Sequence, residues 1–420
     1  MFNPIHASRR QALQALAVFG AGSLLGASWA QNAPALGQGR LVVIFLRGAC
    51  DGLSVFVPYA DPNYYRLRNL IAIAAPDGTA QTALRLDGSF GLHPALASLL
   101  PLWQQGVLSF LPSAGSPDPT RSHFEAQHHW EIATPGKNSA ANGWLNSLAS
   151  LDQTGAQTVA LGVGESNPQI LAGPATVQLI PRGQAATRQG ALGNDQARRA
   201  LMDLYGGQDA LSQAFRQGAN SRMQTAQTLT ADGAMAESMA ADNGAGGANG
   251  LPLDAQHLVT LMRQHRSLRL GFLSAGGWDT HANQGGVTGQ LANNLGNLAN
   301  TVTQLRREFS RPGDLILVVS EFGRTCAENG TRGTDHGRGN AIWLIGDRVN
   351  GGRWHGGWDG LAQGQLNEGR DLPVRNDFRG VLAQVFRRNF GLSDSQLATV
   401  LPGANWDSSL DQLLKTNTAH

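Results

Sequence analysis

Side chains that bind divalent cations recur at the ends of short apolar segments of this sequence. They are four carboxylates and two histidines: Asp51, Asp279, His281, Glu321, Asp335 and His336. Asp279 and His281 are two residues apart, so an extended backbone points both side chains the same way, as a shared metal ion requires. Burying the four carboxylates together is strongly unfavourable unless cations neutralise them. The set therefore predicts a site that contains metal or arginine.

Ser122 is a candidate nucleophile. It lies just before a predicted helix, whose free amides and dipole favour an anion. An ordinary N-cap serine explains the same position, and Glu125 three residues on would complete a capping box. Both interpretations stay open. His123 is a candidate acid or base, although His128 and His129 nearby offer the same chemistry.

The apolar segments that carry these residues have the character of buried parallel strands, since they are short and rich in β-branched residues. The predicted strands are Leu41 to Leu46, Val107 to Leu111, Thr158 to Val163, Leu268 to Leu273, Leu315 to Val319 and Ala341 to Ile345. The predicted helices between them are Pro94 to Gln104, His123 to Ala133, Leu291 to Glu308 and Arg379 to Asn389. Alternation of strand and helix predicts an α/β sandwich with a mostly parallel sheet. In such sheets ligands bind at the carboxyl ends of strands.

Two segments stand apart from this pattern. Residues 1–30 combine Arg9-Arg10, a weakly apolar stretch and a small-x-small end at Ser28-Trp29-Ala30, which predicts a twin-arginine export signal and a periplasmic protein. Residues 182–250 are rich in alanine and glutamine, with helix expected from Asp195 to Met239 and linker composition after it. We interpret this second segment as an insertion or lid within one domain, residues 31–420.

Composition excludes several classes of protein. The chain has 420 residues, 53 of them glycine, with 15% charged and 41% hydrophobic residues, which is typical of a globular protein with many loops. Its 32 basic and 30 acidic residues give a net charge of +2, and no basic run interleaved with aromatic residues predicts nucleic-acid binding. After the leader, no apolar stretch is long enough to span a membrane. Two cysteines are too few for a disulfide scaffold or a structural zinc cluster.

Short motifs in order along the chain resemble the bacterial family catalogued as domain of unknown function 1501. They begin with Arg47-Gly48 and Asp51-Gly52 and continue through Leu-His-Pro at 92–94, Arg-Ser-His-Phe at 121–124 and Gly-Trp-Leu at 143–145, then Trp-Asp-Thr-His at 278–281, Ser-Glu-Phe-Gly-Arg-Thr at 320–325 and Gly-Thr-Asp-His-Gly at 333–337. That family is similar to the alkaline phosphatase and sulfatase superfamily. The resemblance implies a three-layer α/β/α sandwich, a two-metal site and a hydroxyl or formylglycine nucleophile.

Residue by residue, the resemblance assigns roles at this site. Asp279, His281 and His336 resemble ligands of a first metal, with Asp335 as an extra acid. Asp51 resembles the first-strand aspartate that reaches toward a second metal. Glu321 falls where the superfamily has an aspartate followed by histidine, and Phe322 replaces that histidine. Ser122 sits where the nucleophile would. Cys50 and Cys326 follow predicted strands, so a disulfide between adjacent loops is one option.

The function that these features predict is hydrolysis of phosphate or sulfate esters in the periplasm. One or two divalent ions (Zn, Mn, Mg or Ca) would polarise the ester, Ser122 would attack, and Arg47, Arg121 or Arg324 would neutralise non-bridging oxygens. The substrate would be a small-molecule or glycan ester. The alternative is a non-catalytic envelope protein that keeps the metal site and binds an anionic glycan or a partner.

Overall fold

A nine-stranded sheet forms the centre of the protein. The computed structural model describes residues 39–415, except 135, 137–140, 153, 155, 157, 187–191, 193–194 and 231–244. The predicted export signal lies outside the described residues. The strands are β1 (Leu41–Leu46), β2 (Phe56–Val57), β3 (Leu84–Arg85), β4 (Gly91–Leu92), β5 (Leu108–Gly115), β6 (Ala160–Val163), β7 (Val177–Ile180), β8 (Leu270–Ala275), β9 (Leu315–Val319), β10 (Asn340–Ile345), β11 (Arg353–Trp354) and β12 (Asn376–Asp377).

The order of strands places β1 in the middle of the sheet. The sheet reads β11-β5-β10-β9-β1-β8-β6-β7, with β12 also paired to β5. Strand β10 runs antiparallel to both of its neighbours, β5 and β9, while the other described pairings of this sheet are parallel. The carboxyl ends of β1, β5, β8 and β9 therefore meet the amino end of β10 at one edge.

Strand β1 shows why the sheet is buried on both faces. All six of its residues are buried, and the sequence LVVIFL has no polar side to turn toward water. Leu41, Val43 and Phe45 belong to one core cluster, while Val42, Ile44 and Leu46 belong to another on the opposite face. Period-two alternation thus divides one strand between two apolar cores.

Helices cover both faces of the sheet. They are α1 (Gly52–Val55), α2 (Pro62–Leu67), α3 (Leu100–Gln104), α4 (His123–Ile132), α5 (Trp144–Ala149), α6 (Asp195–Leu204), α7 (Ala210–Thr230), α8 (Leu251–Gln264), α9 (Gln290–Glu308), α10 (Phe378–Phe390) and α11 (Asp394–Val400). Apolar residues of α8 and α9 fill the core with Ile44, and those of α5 and α10 fill the core with Val43. The predicted α/β/α sandwich with a mostly parallel sheet is confirmed.

Several elements were absent from the sequence prediction. Strands β2, β4 and β3 form a small antiparallel sheet of two-residue strands. Helix α8 is an amphipathic helix of the main core and begins directly after the predicted insertion. The region predicted as one helix from Asp195 to Met239 contains α6 and α7, and residues 231–244 lie outside the described part. The division into one domain with an insertion stays a prediction.

The two cysteines are separate thiols. Cys50 and Cys326 are both buried and free, so the disulfide considered from sequence is not formed. Burial raises the pKa of the Cys326 thiol to about 12, which keeps it protonated. Within the described residues, no helix is both long and apolar enough to cross a membrane.

Candidate metal centre

Three imidazoles and one carboxylate converge at the edge where the strands end. His123, Asp279 and His336 each offer one ligand atom, and these atoms lie within 4.8 Å of one another. His281 joins them, because its Nε2 lies 2.9 Å from Nε2 of His336 and 3.0 Å from Oδ1 of Asp279. Nε2 of His123 is 3.0 Å from Nε2 of His336 and 3.5 Å from Oδ2 of Asp279. We call these four residues the metal centre.

The other ring nitrogen of each histidine faces an acceptor. Nδ1 of His123 lies 2.8 Å from Oε1 of Glu321, and Nδ1 of His281 lies 3.1 Å from Oδ1 of Asp335. Nδ1 of His336 donates to the backbone oxygen of Arg121 at 2.9 Å. Metal-ligating histidines usually donate their second ring nitrogen to a carboxylate or a carbonyl in this way.

These contacts make the centre fit for a divalent ion. Because carbonyl and ionised carboxylate oxygens only accept, each Nδ1 carries a hydrogen, and in the neutral ring each Nε2 then presents a lone pair. The Nε2 lone pair of His336 lies about 3 Å from that of His123 and from that of His281, and lone pairs so close repel one another unless a cation lies between them. The ligand atoms of a tetrahedral zinc site, with bonds of about 2.0–2.1 Å, lie roughly 3.3 Å apart. The donor set and its spacing therefore fit one metal ion.

The charges at the centre also favour a cation. Burial alone would raise the pKa of Asp279, but hydrogen bonds from His123 and His336 and the charge of Arg324 hold it well below its usual range. Burial lowers the pKa of His123, yet hydrogen bonds to Asp279 and Glu321 outweigh burial and raise it to about 9. Without metal, the centre therefore gains positive charge by holding a proton, and a divalent ion meets the same demand.

Two glycines allow the loops to approach closely enough to form the centre. Gly48 follows β1 with φ at +110°, and a Cβ there would lie 2.6 Å from the backbone nitrogen of Asp279. A Cβ on Gly333 would lie 2.3 Å from the carbonyl of His281. Any side chain at either position would push apart the loops that carry the ligands.

Arg324 positions Asp279. It is 2% exposed, and its Nη2 donates to Oδ1 of Asp279 at 2.5 Å. Its remaining donors go to backbone oxygens of four residues that belong to three other loop segments: Gly48, Ala49, Trp278 and Thr334. All three nitrogens of this guanidinium donate within the protein and its side chain is buried, so the structure gives Arg324 an orienting contact where the sequence predicted a catalytic one.

The other two predicted arginines differ in their surroundings. Arg47 is buried and pairs with Glu131 and Glu165, so its charge is neutralised inside the protein. Arg121 is partly exposed and donates to Glu368 at 2.9 Å, while its backbone oxygen holds His336. Among the three, Arg121 alone keeps a partly exposed guanidinium beside the centre.

Asp51 does not join the centre. Its two oxygens form a bidentate ion pair with Arg68, with distances of 2.6 and 2.9 Å, and both residues are almost completely buried. Glu321 and Asp335, also predicted as ligands, instead contact the histidines. The carboxylate of Glu321 lies against Nδ1 of His123, and that of Asp335 lies against Nδ1 of His281. Thus Asp279, His281 and His336 come together as predicted, and the other three acids support them or lie apart.

Ser122 occupies the N-cap position of α4 without capping it. Its backbone is extended, and its side chain makes no capping hydrogen bond. Glu125 instead accepts from the hydroxyl of Thr120 at 2.7 Å, so the expected capping box is absent. Ser122 is exposed, and its chain neighbours on both sides contact the centre: His123 through its ring and Arg121 through its carbonyl. The hydrogen bonds therefore do not support the interpretation of Ser122 as a helix cap.

Sequence reasoning missed His123 as a metal-binding residue. The sequence predicts it only as an acid or base, because three histidines between 123 and 129 give no reason to prefer one. The distinguishing fact is spatial, since His123 is the first residue of α4 and stacks on Phe322, where the resemblance to the superfamily had implied a histidine. The imidazole thus reaches the centre from α4 instead of from the loop after β9.

The chain is distantly similar to several solved structures. Alkaline phosphatase from the Antarctic bacterium TAB5 is 9% identical, covering 76% of this chain and 95% of that chain with a TM-score of 0.34. The C-terminal periplasmic domain of EcEptC from Escherichia coli, in complex with Zn, is 10% identical over 75% of this chain and 76% of that chain, with a TM-score of 0.34. Ps i-CgsB is 11% identical over 90% of this chain and 77% of that chain, with a TM-score of 0.38. Likeness at this level does not extend to function.

Among curated proteins, none matches this sequence. A family model does match, over residues 38–401, which include every residue of the metal centre, and its description is "Protein of unknown function (DUF1501)". The chain therefore belongs to the DUF1501 family.

Proposed function

We propose that the protein is a metal-dependent hydrolase of phosphate or sulfate esters that works in the periplasm. The observation that carries this proposal is the metal centre with an exposed, uncapping serine one residue before its first histidine. A divalent ion bound there supplies Lewis acidity toward an ester oxygen. The periplasmic location rests on the twin-arginine sequence of the leader.

The chain's own residues supply the remaining functions. Ser122 presents its hydroxyl from the start of α4, where unpaired backbone amides favour an anionic group. Arg121 keeps an exposed guanidinium edge for non-bridging oxygens. Arg324 and the three Nδ1 acceptors fix the ligands before substrate arrives, so that little reorganisation is needed during reaction.

The proposal is tested by assaying the purified protein against a panel of phosphate and sulfate esters. Activity should disappear on chelation and return on metal addition. Ser122→Ala should abolish turnover while metal content stays near one equivalent, because the ligands lie on other residues. Ser122→Asp should also be inactive, since it places a negative charge where the anionic ester must bind.

Two outcomes would contradict parts of this proposal. Rates like those of the unsubstituted protein in Ser122→Ala would exclude Ser122 as the nucleophile. Full metal binding without turnover of any ester would favour a non-catalytic envelope protein that uses the centre to bind an anionic glycan.

A further inference from the structure

The two-metal site that the family resemblance implies does not fit around Asp51. This carboxylate accepts four side-chain hydrogen bonds: two from Arg68, one from Ser54 at 2.7 Å and one from Gln284 at 2.7 Å. A carboxylate has about four lone-pair positions. Oδ2 accepts three of these bonds and Oδ1 accepts one, and only 1% of the residue is exposed, so both oxygens of Asp51 are held by protein donors away from solvent.

Glu321, which the resemblance places where the superfamily has an aspartate followed by histidine, is also held by protein donors. Its Oε1 accepts from the Gly48 amide, from His123 and from Gln127, at 2.8 to 2.9 Å. Its Oε2 accepts from the hydroxyl of Ser320 at 3.0 Å. Both acids are therefore buried and held by several protein donors.

Arg68 is fixed as firmly as the acid it neutralises. It is fully buried, and besides Asp51 it donates to the backbone oxygens of Thr325 and Cys326, at 3.1 and 2.9 Å. The ion pair is also connected to the metal centre by side-chain hydrogen bonds. Gln284 bridges them, because its Oε1 accepts from Thr280, which stands between Asp279 and His281.

Charge excludes a second cation beside this pair. The guanidinium already cancels the charge of Asp51, so a divalent ion placed there would face a buried positive charge at short range. Repulsion of that kind is strong where water does not screen it. Opening the pair to admit the ion would leave Arg68 buried without a partner, which is also strongly unfavourable.

The donors of the metal centre favour a particular class of ion. Three imidazole nitrogens and one carboxylate suit Zn²⁺ and similar transition metals, whereas Mg²⁺ and Ca²⁺ prefer sites made of oxygen. We propose that the protein binds one transition-metal ion of the Zn²⁺ class per chain, and that Arg68 stands in place of a second cation beside Asp51. This inference rests on the proposed metal-dependent function, because both use the same centre.

The number of metal ions bound per chain can be measured directly. The metal-free protein is dialysed against Zn²⁺, and separately against Mg²⁺, and bound metal is measured by elemental analysis. One Zn²⁺ per chain and no tightly held Mg²⁺ are expected. Two ions per chain would overturn the inference and leave the proposed hydrolase intact. No bound ion would instead contradict the metal centre on which the proposed function depends.

Variants test the role of Arg68. In Arg68→Ala, Asp51 loses its partner, so millimolar Mg²⁺ should raise the thermal midpoint by several degrees, an effect absent from the unsubstituted protein. The matched control Arg68→Lys keeps the positive charge and should show no Mg²⁺ effect. Equal Mg²⁺ responses in all three proteins would overturn the assignment.

A charge-balanced variant covers the case in which Arg68→Ala does not fold. Asp51→Asn combined with Arg68→Gln removes both charges at once and should keep one Zn²⁺ with a Kd within about threefold. His336→Gln, which removes a ligand, should weaken binding by more than a hundredfold. Loss of Zn²⁺ by the double variant to the same degree would show that Asp51 is a ligand after all.

Discussion

Each histidine of the metal centre is held by a different acceptor, and these acceptors explain why five of the six predicted residues divide into two groups. Asp279, His281 and His336 reach the centre themselves. Glu321 and Asp335 hold the rings of His123 and His281 and so act through them. A carboxylate behind a histidine raises the basicity of the ring and fixes its orientation.

Replacing Glu321 with glutamine should therefore weaken metal binding without removing a ligand. A neutral amide accepts the hydrogen of His123 Nδ1 less strongly, so Kd should rise by about 10- to 100-fold. The measurement is competition against a chromogenic chelator. Glu125→Gln is the matched control, because Glu125 is exposed and accepts from Thr120. Equal affinity in both variants would contradict the assigned role of Glu321.

The sequence identified the place of these residues better than their roles. Acid and histidine side chains after apolar strands correctly indicated one edge of the sheet, since topology brings strand ends together. Asp51 shows what the sequence does not predict. Its partner Arg68 follows a short helix 17 residues later, and no periodic pattern links the two. Which buried charge an arginine neutralises depends on three-dimensional packing alone.

For strands and helices, the sequence prediction agrees best with the structure where the apolar pattern is strongest. The predicted bounds of β1 and β9 match the structure, because each is a continuous apolar run between polar residues. Strands β2, β3 and β4 have two residues each, too few for any periodicity. Helix α8 escaped prediction because its apolar face begins right after the glycine-rich segment that ends the insertion.

Helix α8 offers a test of pH dependence. Asp254 lies in its first turn, accepts from the Gly183 amide and pairs with Arg182. Burial outweighs these contacts and raises its pKa to about 6. The folded state then holds a proton that the unfolded state releases near pH 4. Stability due to Asp254 is present below pH 4 and falls, by up to about 3 kcal/mol, as pH rises to 6.

Urea unfolding of Asp254→Asn and of the unsubstituted protein measures the contribution of Asp254 to the free energy of unfolding. The free energy of unfolding of the unsubstituted protein, relative to the variant, should decline from pH 4 to pH 6 and stay level above. Asp203→Asn, at an exposed position of α6, is the control and should show no such trend. A difference that rises with pH would mean that Asp254 is stabilised as an anion.

For the whole molecule, the export route is the property that the leader predicts. Twin-arginine transport carries folded proteins, which would suit the proposed acquisition of a metal ion before export. Replacing Arg9 and Arg10 together with lysine should leave the precursor in the cytoplasm. Fractionation and immunoblotting of tagged protein measure the distribution, with Arg40→Lys in the mature part as a control. Normal periplasmic delivery of the double variant would exclude this route.

The central position of β1 has a consequence for the time course of folding. Its partners β8 and β9 begin at Leu270 and Leu315, so both are synthesised long after β1 itself. At roughly 5–20 residues per second, the nascent chain waits between about ten seconds and a minute for them. Throughout that interval LVVIFL is an uncharged, β-prone segment without a partner, the kind of sequence that associates with other chains. We therefore expect efficient synthesis to benefit from a ribosome-bound chaperone that shields this segment, and the metal centre can assemble only after the loop carrying His336 has been made.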